Sequence, residues 1–561
     1  MSDEVAAARK KRVEEMQALP FDGQAYKRLV EAGLTWLRAN QESVNALNVF
    51  PVPDGDTGTN MVLTMQSAYD EIENSGHHKV GDMAAAVSQG ALMGARGNSG
   101  VILSQIWRGV ARGLEGAEVL TGENFARALT EASETAYRGV VRPVEGTILT
   151  VSKDIGLAAV AALEETQNPI EILEKVIVAG KESVDYTPEL LPVLKDAGVV
   201  DSGGMGLFLI LEGMMRYIYG EPLDTPTLAV KPMAALDMEN AMHAVEEGQD
   251  WEVVVDFYPS EELDLQSFYG KLEEMGTSIQ VGEGDGMYRM HIHVPLENRY
   301  LPIDYIMELG TITDVAMENL VAQMDELNKN TDYDRLELTN IDPGEIAIVT
   351  VSPGPGISRI FASLGVAAIV EGGQTMNPST KELLAAFENL PTDKVIILPN
   401  NKNIVLAAQA ARDVTVKEVH VVPSRTIPQG LAAMLMHNPE GDLDVVAEKM
   451  LKSLDTVRTG EVTTATRTVE IDGVNVETGQ VIALLDGKLV LAASSVDEAC
   501  LSLLEKADMD EYELITLYMG GDYPRAEANR VGDLIQEKYP DHEVEMLDGG
   551  QPHYQLILSI E

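Results

Sequence analysis

Two aspartates flank a single glycine in the stretch Asn48-Val49-Phe50-Pro51-Val52-Pro53-Asp54-Gly55-Asp56-Thr57-Gly58-Thr59-Asn60-Met61. Carboxylates this close can converge on a hard cation. Oxygen-only ligation suits magnesium, which keeps some waters and takes other ligands from substrate phosphates. Thr57, Thr59 and Asn60 add short polar groups where the next helix should begin. The dipole and free N–H groups of a helix start favour phosphate. A bare Asp-Gly-Asp is also compatible with a ligand-free turn between helices; the density of glycine and the Thr/Asn run weigh toward a ligand.

Asp54-Gly55-Asp56-Thr57 also fits the Asp-x-Asp-x-Thr nucleophile loop of haloacid-dehalogenase-type phosphatases. That loop must follow a buried strand, and Pro51 and Pro53 cannot donate to a sheet ladder, so this reading is the weaker one. Three more loops share the glycine-rich character. Gly94-Ala95-Arg96-Gly97-Asn98-Ser99-Gly100 opens an apolar helical segment, Val101–Leu114, and could wrap phosphate oxygens with backbone N–H groups. It lacks the Gly-Lys-Ser/Thr ending of a P-loop, and a tight helix–helix crossing explains its glycines equally well. Asp201-Ser202-Gly203-Gly204-Met205-Gly206 leads into another apolar helix, where a capped helix start is the plain explanation. Arg142-Pro143-Val144-Glu145-Gly146-Thr147 is the fourth. Each has an ordinary structural reading; four in one helical region are harder to dismiss together.

The elements that must hold these loops follow from periodicity. From about Gln24 to Gly220 apolar residues recur at helical spacing, as in Met83–Met93, Val101–Leu114, Glu123–Arg138 and Pro169–Val184, with Asp82 and Thr121 placed as N-caps. Met1 to Met16 reads as a solvated helix. Pro222, Pro226 and Pro232 punctuate a linker between Glu221 and Asp250. Trp251–Phe257 and Met287–Val294 then read as strands around a helical Leu263–Met275, a small α/β domain ending near Asn328 to Asp334. Beyond Glu345, Ile346–Val351, Ala367–Val370, Val395–Leu398 and Glu418–Val422 read as buried parallel strands. The helices Ile357–Leu364, Thr380–Leu390 and Asn403–Arg412 lie between them. A β-richer tail contains Val462–Ile471, Val481–Leu485 and Lys488–Ala492, with turns at Asp472-Gly473 and Asp486-Gly487. The fold class is therefore multidomain α plus α/β, with domains at 1–222, 223–335 and 336–561.

At 561 residues the chain is too long for one core. Its formal charge of −49 repels phosphate backbones and anionic membrane surfaces, so nucleic acid is excluded as a partner class. No apolar run is long enough to span a bilayer, which excludes integral membrane association, and no signal peptide is visible. One cysteine, Cys500, excludes internal disulfides and multi-cysteine zinc sites and suits a reducing, cytoplasmic setting. A nucleotide site in so acidic a chain must draw its positive charge from metal ions, backbone N–H groups and a few basic side chains.

Taken in order, the four loops resemble the DhaL-type nucleotide domain of dihydroxyacetone kinases, and more closely the ATP-binding component of bacterial two-component fatty acid kinases. Gly372-Gly-Gln-Thr-Met-Asn-Pro-Ser-Thr380, Leu398-Pro-Asn-Asn401 and Glu470-Ile-Asp-Gly473 resemble that family's C-terminal, DegV-like domain. The resemblance implies a helical barrel whose open end holds ATP over two magnesium ions. Asp54 and Asp56 match metal-binding positions, with Asn48 at a third. It implies phosphate contacts from Gly97, Asn98, Ser99 and Gly100, polar contacts from Thr59, Asn60 and Thr147, and Asp201 near the nucleotide. It further implies a DegV-type fatty-acid-binding protein as partner, an acyl phosphate for phospholipid synthesis as product, and a homodimer. The C-terminal domain is expected to dock the carrier rather than bind nucleotide, although Ser352-Pro-Gly-Pro-Gly-Ile-Ser358 would otherwise suggest a phosphate cradle.

In Met290-His291-Ile292-His293-Val294 both imidazoles fall on one strand face. The resemblance makes His291 and His293 candidate catalytic residues beside a cysteine on the neighbouring strand. Here Val254 takes that place, which leaves the family's zinc-type site incomplete. Two other functions stay open: a dihydroxyacetone-type kinase component, and a nucleotide-binding regulator without turnover.

Overall fold

The computed structural model describes the chain outside residues 1–8, 10, 14–15, 17–19, 49–54, 141, 224–230, 233–250, 261–262, 285–286, 320–335, 337 and 472. The chain divides into two compact units. One joins Met1–Asp224 to Leu336–Glu561, and the other is Thr225–Arg335. Most of the expected solvated helix at 1–16, most of the proline-punctuated linker and the expected end of the middle domain lie outside the described residues.

The N-terminal region is helical throughout: α1 Gly23–Ala39, α2 Gln41–Asn45, α3 Thr57–Ile72, α4 Val80–Gly94, α5 Gly97–Gly113, α6 Gly122–Arg138, α7 Ile148–Ala162, α8 Pro169–Leu190, α9 Pro192–Ala197 and α10 Ser202–Tyr219. Their apolar stripes meet in one core. Leu37, Met61, Met65, Ile72, Leu103, Trp107, Leu149 and Phe208 all belong to it, and burying each such side chain is worth about 1.5–3 kcal/mol. Thr121 caps α6 through a capping box with Asn124, as expected. Asp82 is not an N-cap: α4 begins two residues earlier, at Val80, after Lys79. The N–H groups of Val80 and Gly81 bond the carbonyls of Glu118 and Ala117, so this start needs no side-chain cap. Asp82 sits in the first turn, where its charge suits the dipole.

The second unit is a five-stranded sheet, β1 Lys231–Pro232, β2 Trp251–Pro259, β3 Thr277–Gly284, β4 Met287–Val294 and β5 Gly310–Asn319, in the order β1-β3-β4-β2-β5. Helices α11 Leu265–Glu273 and α12 Leu301–Leu309 complete it. Val253, Val255, Met290, Ile292 and Val294 pack on Phe268, Leu272 and Ile306. Sequence periodicity picks out β2 and β4 but not β3 and β5, whose glycines and acidic residues break the apolar alternation.

The C-terminal region opens with a four-stranded parallel sheet of β6 Ile346–Ser352, β7 Ala368–Glu371, β8 Lys394–Leu398 and β9 Glu418–Val421, in the order β7-β6-β8-β9. Helices α13 Pro355–Ser363, α14 Thr380–Glu388 and α15 Val405–Val414 connect its strands. A six-stranded mixed sheet follows. The expected strand Val462–Ile471 is two strands, one in that sheet ending at Thr464 and one starting at Val469 in a separate hairpin. The break falls where the Ala465 N–H turns to the carbonyl of Gln480. At the expected Asp486-Gly487 turn both residues have positive φ, 51° and 75°, the mark of a tight hairpin.

One core cluster crosses the helical and C-terminal regions. Ala95 and Val101 pack with Val349, Leu383, Phe387, Ile397 and Ile404. Val101 is 5% exposed, so Val101→Asp would bury an unpaired charge in this seam. We expect a loss of about 3 kcal/mol or more and, in scanning calorimetry, separation of the unfolding of the two regions. An unchanged melting profile would contradict the shared core.

Candidate functional site

The starts of α3, α5, α7 and α10 gather at one end of the helical region. Ser202 Oγ at the start of α10 lies 3.3 Å from Thr57 Oγ1 at the start of α3. The Asp201 carboxylate accepts from the Gly204 N–H at 2.7 Å and also from the backbone of Ile148, joining the starts of α10 and α7. Gly97 backs onto Asn60: a Cβ there would stand 2.6 Å from Asn60 Nδ2, and its φ of +56° already demands glycine. Gly100 faces Thr64 just as closely, since a Cβ on it would stand 2.4 Å from Thr64 Oγ1. The glycines of the Gly94–Gly100 turn thus serve a close helix crossing, and that crossing brings Asn98 and Ser99 to the gathered ends. Each helix start carries roughly half a positive charge.

These starts are not equally available to an anion. Asn45 Oδ1 accepts the N–H groups of Gly58 at 2.8 Å and Thr59 at 3.2 Å. The expectation of free N–H groups at the start of α3 is corrected there, because the end of α2 already caps it. Thr59 Oγ1 accepts from Gln41 and Asn45, both at 3.1 Å, and keeps its own hydrogen to donate. Thr147 caps α7 by accepting from the Leu149 N–H at 3.4 Å and donates to the Val144 carbonyl. The preceding Glu145 accepts from Thr150 and Tyr137, and those bonds hold its carboxyl below the usual range. At α5 the N-cap residue Arg96 makes no side-chain cap. Asn98 and Ser99 in its first turn are half-buried.

Loops of the C-terminal region lie against this end. Asn377, between β7 and α14, donates its side-chain N–H to Asp56 Oδ2. Arg96 donates to the Asn377 carbonyl at 3.0 Å and to Glu382 at 3.1 Å. The Thr380 N–H donates to the Ala95 carbonyl at 3.2 Å, and Asn98 Nδ2 to Asn403 Oδ1 at 3.1 Å. Arg467 reaches the Ala46 carbonyl at 3.2 Å. Gln41, Asn45, Arg96, Asn377 and Asn403 are therefore part of the site, although sequence reasoning does not single them out. Asn377 lies inside the Gly372–Thr380 motif, but pairing it with a loop 321 residues away needs the fold. The Ser352–Ser358 turn is filled by its own chain. A Cβ on Gly356 would stand 1.9 Å from the Asp548 carbonyl, and the Ile357 N–H bonds the Gly549 carbonyl at 2.9 Å.

Of the candidate cation ligands, Asp54 lies outside the described residues. Asn48 is half-buried just past α2, with its N–H on the Asn45 carbonyl at 3.1 Å. Asp56, half-buried, is the N-cap of α3; its side chain makes no cap bond and accepts from Asn377. Among the described residues no group of three His, Cys, Asp or Glu side chains is placed to hold a metal. Among the described residues the donors are a carboxylate and amides, including the buried Asn377 Oδ1, which has no hydrogen-bond partner there. This oxygen-only chemistry fits magnesium.

Models of protein families match most of the chain: the DAK2 domain over residues 51–216, the FakA-like fatty acid kinase middle domain over 248–327 and the FakA-like C-terminal domain over 347–561. An uncharacterized protein of Staphylococcus epidermidis is 37% identical over 550 residues, covering 96% of this chain and 99% of that protein. The chain belongs to the FakA-like fatty acid kinase family. Its helical region is accordingly a DAK-type domain, a kinase relationship that points to nucleotide binding. Solved structures similar to it include a DegV family protein of Corynebacterium glutamicum, with 16% identity, 39% of this chain and 96% of that one covered, and TM-score 0.30. The Streptococcus pneumoniae fatty acid kinase B3 protein loaded with linoleic acid is another, at 12% identity, 38% and 99% coverage and TM-score 0.28.

In this FakA-like chain the two histidines belong to the other compact unit. His291 and His293 are 1% and 0% exposed, with ring centroids 4.9 Å apart. Val254 on β2 stands directly opposite His291 on β4. Cys500 cannot substitute: it is buried in the C-terminal core, where burial pushes its thiol pKa far up. No helix among the described residues is long and apolar enough to cross a membrane.

Burial raises the Asp201 carboxyl to about 6, against the bonds from Gly204 and Ile148 that lower it. Between pH 3.8 and about 6 the folded chain therefore holds a proton that the unfolded chain has lost. This group's contribution to stability is full below pH 3.8 and disappears as pH rises through about 6. Asp201→Asn removes the ionisation. Its stability relative to the parent should rise by roughly 1–3 kcal/mol between pH 4 and 7 in urea unfolding. A difference that stays flat across that range would show that Asp201 does not titrate there.

Proposed function

We propose that this chain is the ATP-binding catalytic component of a two-component fatty acid kinase. The observation that carries the reading is the gathering of four helix starts around Asp56, with the uncapped start of α5 beside it. Phosphoryl transfer asks chiefly for positioning and for charge stabilisation on the transferring group. In a chain of net charge −49 the helix starts offer part of that field through backbone N–H groups.

In the proposed reaction a carboxylate oxygen of the fatty acid attacks the γ-phosphorus of ATP. The bond from that phosphorus to the β–γ bridging oxygen breaks, ADP leaves and an acyl phosphate forms for phospholipid synthesis. Gly97, Asn98, Ser99 and Gly100 hold phosphate oxygens at the start of α5. The Thr59 hydroxyl and Asn60 add contacts from α3, while Thr147 and Asp201 shape the far wall. Asn48, Asp54 and Asp56 would hold magnesium, in the family manner two ions, which would supply positive charge against the phosphates. His291 and His293 are assigned to the incoming carboxylate. The fatty acid arrives on a DegV-type binding protein that docks on the C-terminal region, and the chain works as a homodimer in the cytoplasm.

Val254 opposite His291 favours a second reading, a nucleotide-binding regulator without turnover. The test is acyl-phosphate formation from ATP, magnesium and oleate, trapped with hydroxylamine, with and without a DegV-type carrier. Carrier-dependent product is expected. Asp54→Ala and Asp56→Ala should each lower it more than ~100-fold, beyond the usual effect of an outer-shell residue. Tight binding of magnesium and ATP without product would favour the regulator.

A further inference from the structure

Asn377 is 2% exposed, at the tip of the C-terminal loop that touches the gathered helix starts. Its Nδ2 donates to Asp56 Oδ2, while Oδ1 of the same amide is buried and has no hydrogen-bond partner among the described residues. A buried carbonyl oxygen left unsatisfied is costly, so such atoms in a folded protein call for an explanation. The loop cannot simply withdraw. The Asn377 carbonyl is held by Arg96, Pro378 follows it, and the Thr380 N–H is tied to Ala95.

The two ends of the amide explain the arrangement. Without a cation, an amide oxygen against a carboxylate is repelled, so the nitrogen faces Asp56 and the oxygen is stranded. With a divalent cation on Asp56, rotation about the last side-chain bond exchanges the two ends. The oxygen then joins Asp56 as a hard ligand.

We propose that Asn377 Oδ1 is a ligand of the divalent cation in the nucleotide site, supplied by the C-terminal region. The proposal rests on the magnesium–ATP reading given above. It gives the Gly372–Thr380 loop a role inside the nucleotide site, and makes the C-terminal region a part of that site as well as a docking platform.

The experiment titrates magnesium into the full-length chain with a fluorescent ATP analogue and reads anisotropy, with unfolding midpoints recorded in EDTA. Asn377→Ala should raise the magnesium dissociation constant about 10–100-fold, and weaken analogue binding more with magnesium than in EDTA. Asn377→Asp decides between ligand and mere hydrogen-bond donor. As a ligand, the new carboxylate keeps or tightens magnesium binding, and its repulsion from Asp56 lowers the midpoint in EDTA only. As a donor to Asp56, Asn377→Asp should bind magnesium at least as poorly as Asn377→Ala. That result, or an unchanged magnesium dependence in Asn377→Ala, overturns the proposal while leaving the kinase reading intact. A parent chain with no magnesium-dependent analogue binding overturns both. If Asn377→Ala does not fold, the near-isosteric Asn377→Asp decides alone.

Discussion

The starts of several helices cannot meet at one place without something to absorb their exposed N–H groups and the positive end of each dipole. That constraint organises the helical region. Asn45 takes two N–H groups of α3, Thr147 takes one of α7, and Asp201 bridges α7 and α10. The desolvation that lifts the Asp201 carboxyl to about 6 is a consequence of standing between them. At α5, where Arg96 supplies no side-chain cap, the field remains for an anion. The glycines at 97 and 100 set the close approach to α3 that puts this start beside Asp56.

Local chemistry is legible in the sequence wherever it depends on neighbours in the chain. Thr121 announces α6 with Asn124 three residues on, and the apolar runs of β6 and β8 announce buried parallel strands. The four glycine-rich loops are visible as loops. Contacts that cross the fold are not. Nothing in the sequence around Asn45 singles it out, yet it fills the N–H groups expected to be open to phosphate. Asp82 has the residue type of a cap, but Ala117 and Glu118 already satisfy that helix start. The strands at Thr277–Gly284 and Gly310–Asn319 are hidden because pairing with β4 and β2, more than their own apolar alternation, makes them strands.

The junction of the helical and C-terminal regions has both an apolar and a polar layer. Val101 and Ala95 share a core with Phe387 and Ile404, and above it Arg96, Asn98 and Asp56 bond to Asn377, Glu382 and Asn403. Apolar burial supplies most of the adhesion, and the polar contacts fix which loop faces which. The same turn that crosses α3 is therefore held from two sides, a degree of preorganisation that suits a site whose work is positioning. The histidine pair stands in the separate sheet unit, with Val254 rather than a thiol across from His291.

Hydrogen–deuterium exchange of the full-length chain, with and without magnesium and a non-hydrolysable ATP analogue, tests the central claim that the gathered helix starts and the C-terminal loop form one nucleotide site. A single site predicts slowed exchange together at residues 56–60, 97–101, 147–149 and 201–204, and also at 374–380. Protection confined to other surfaces, or spread through the helical region while 374–380 stays unchanged, would contradict it.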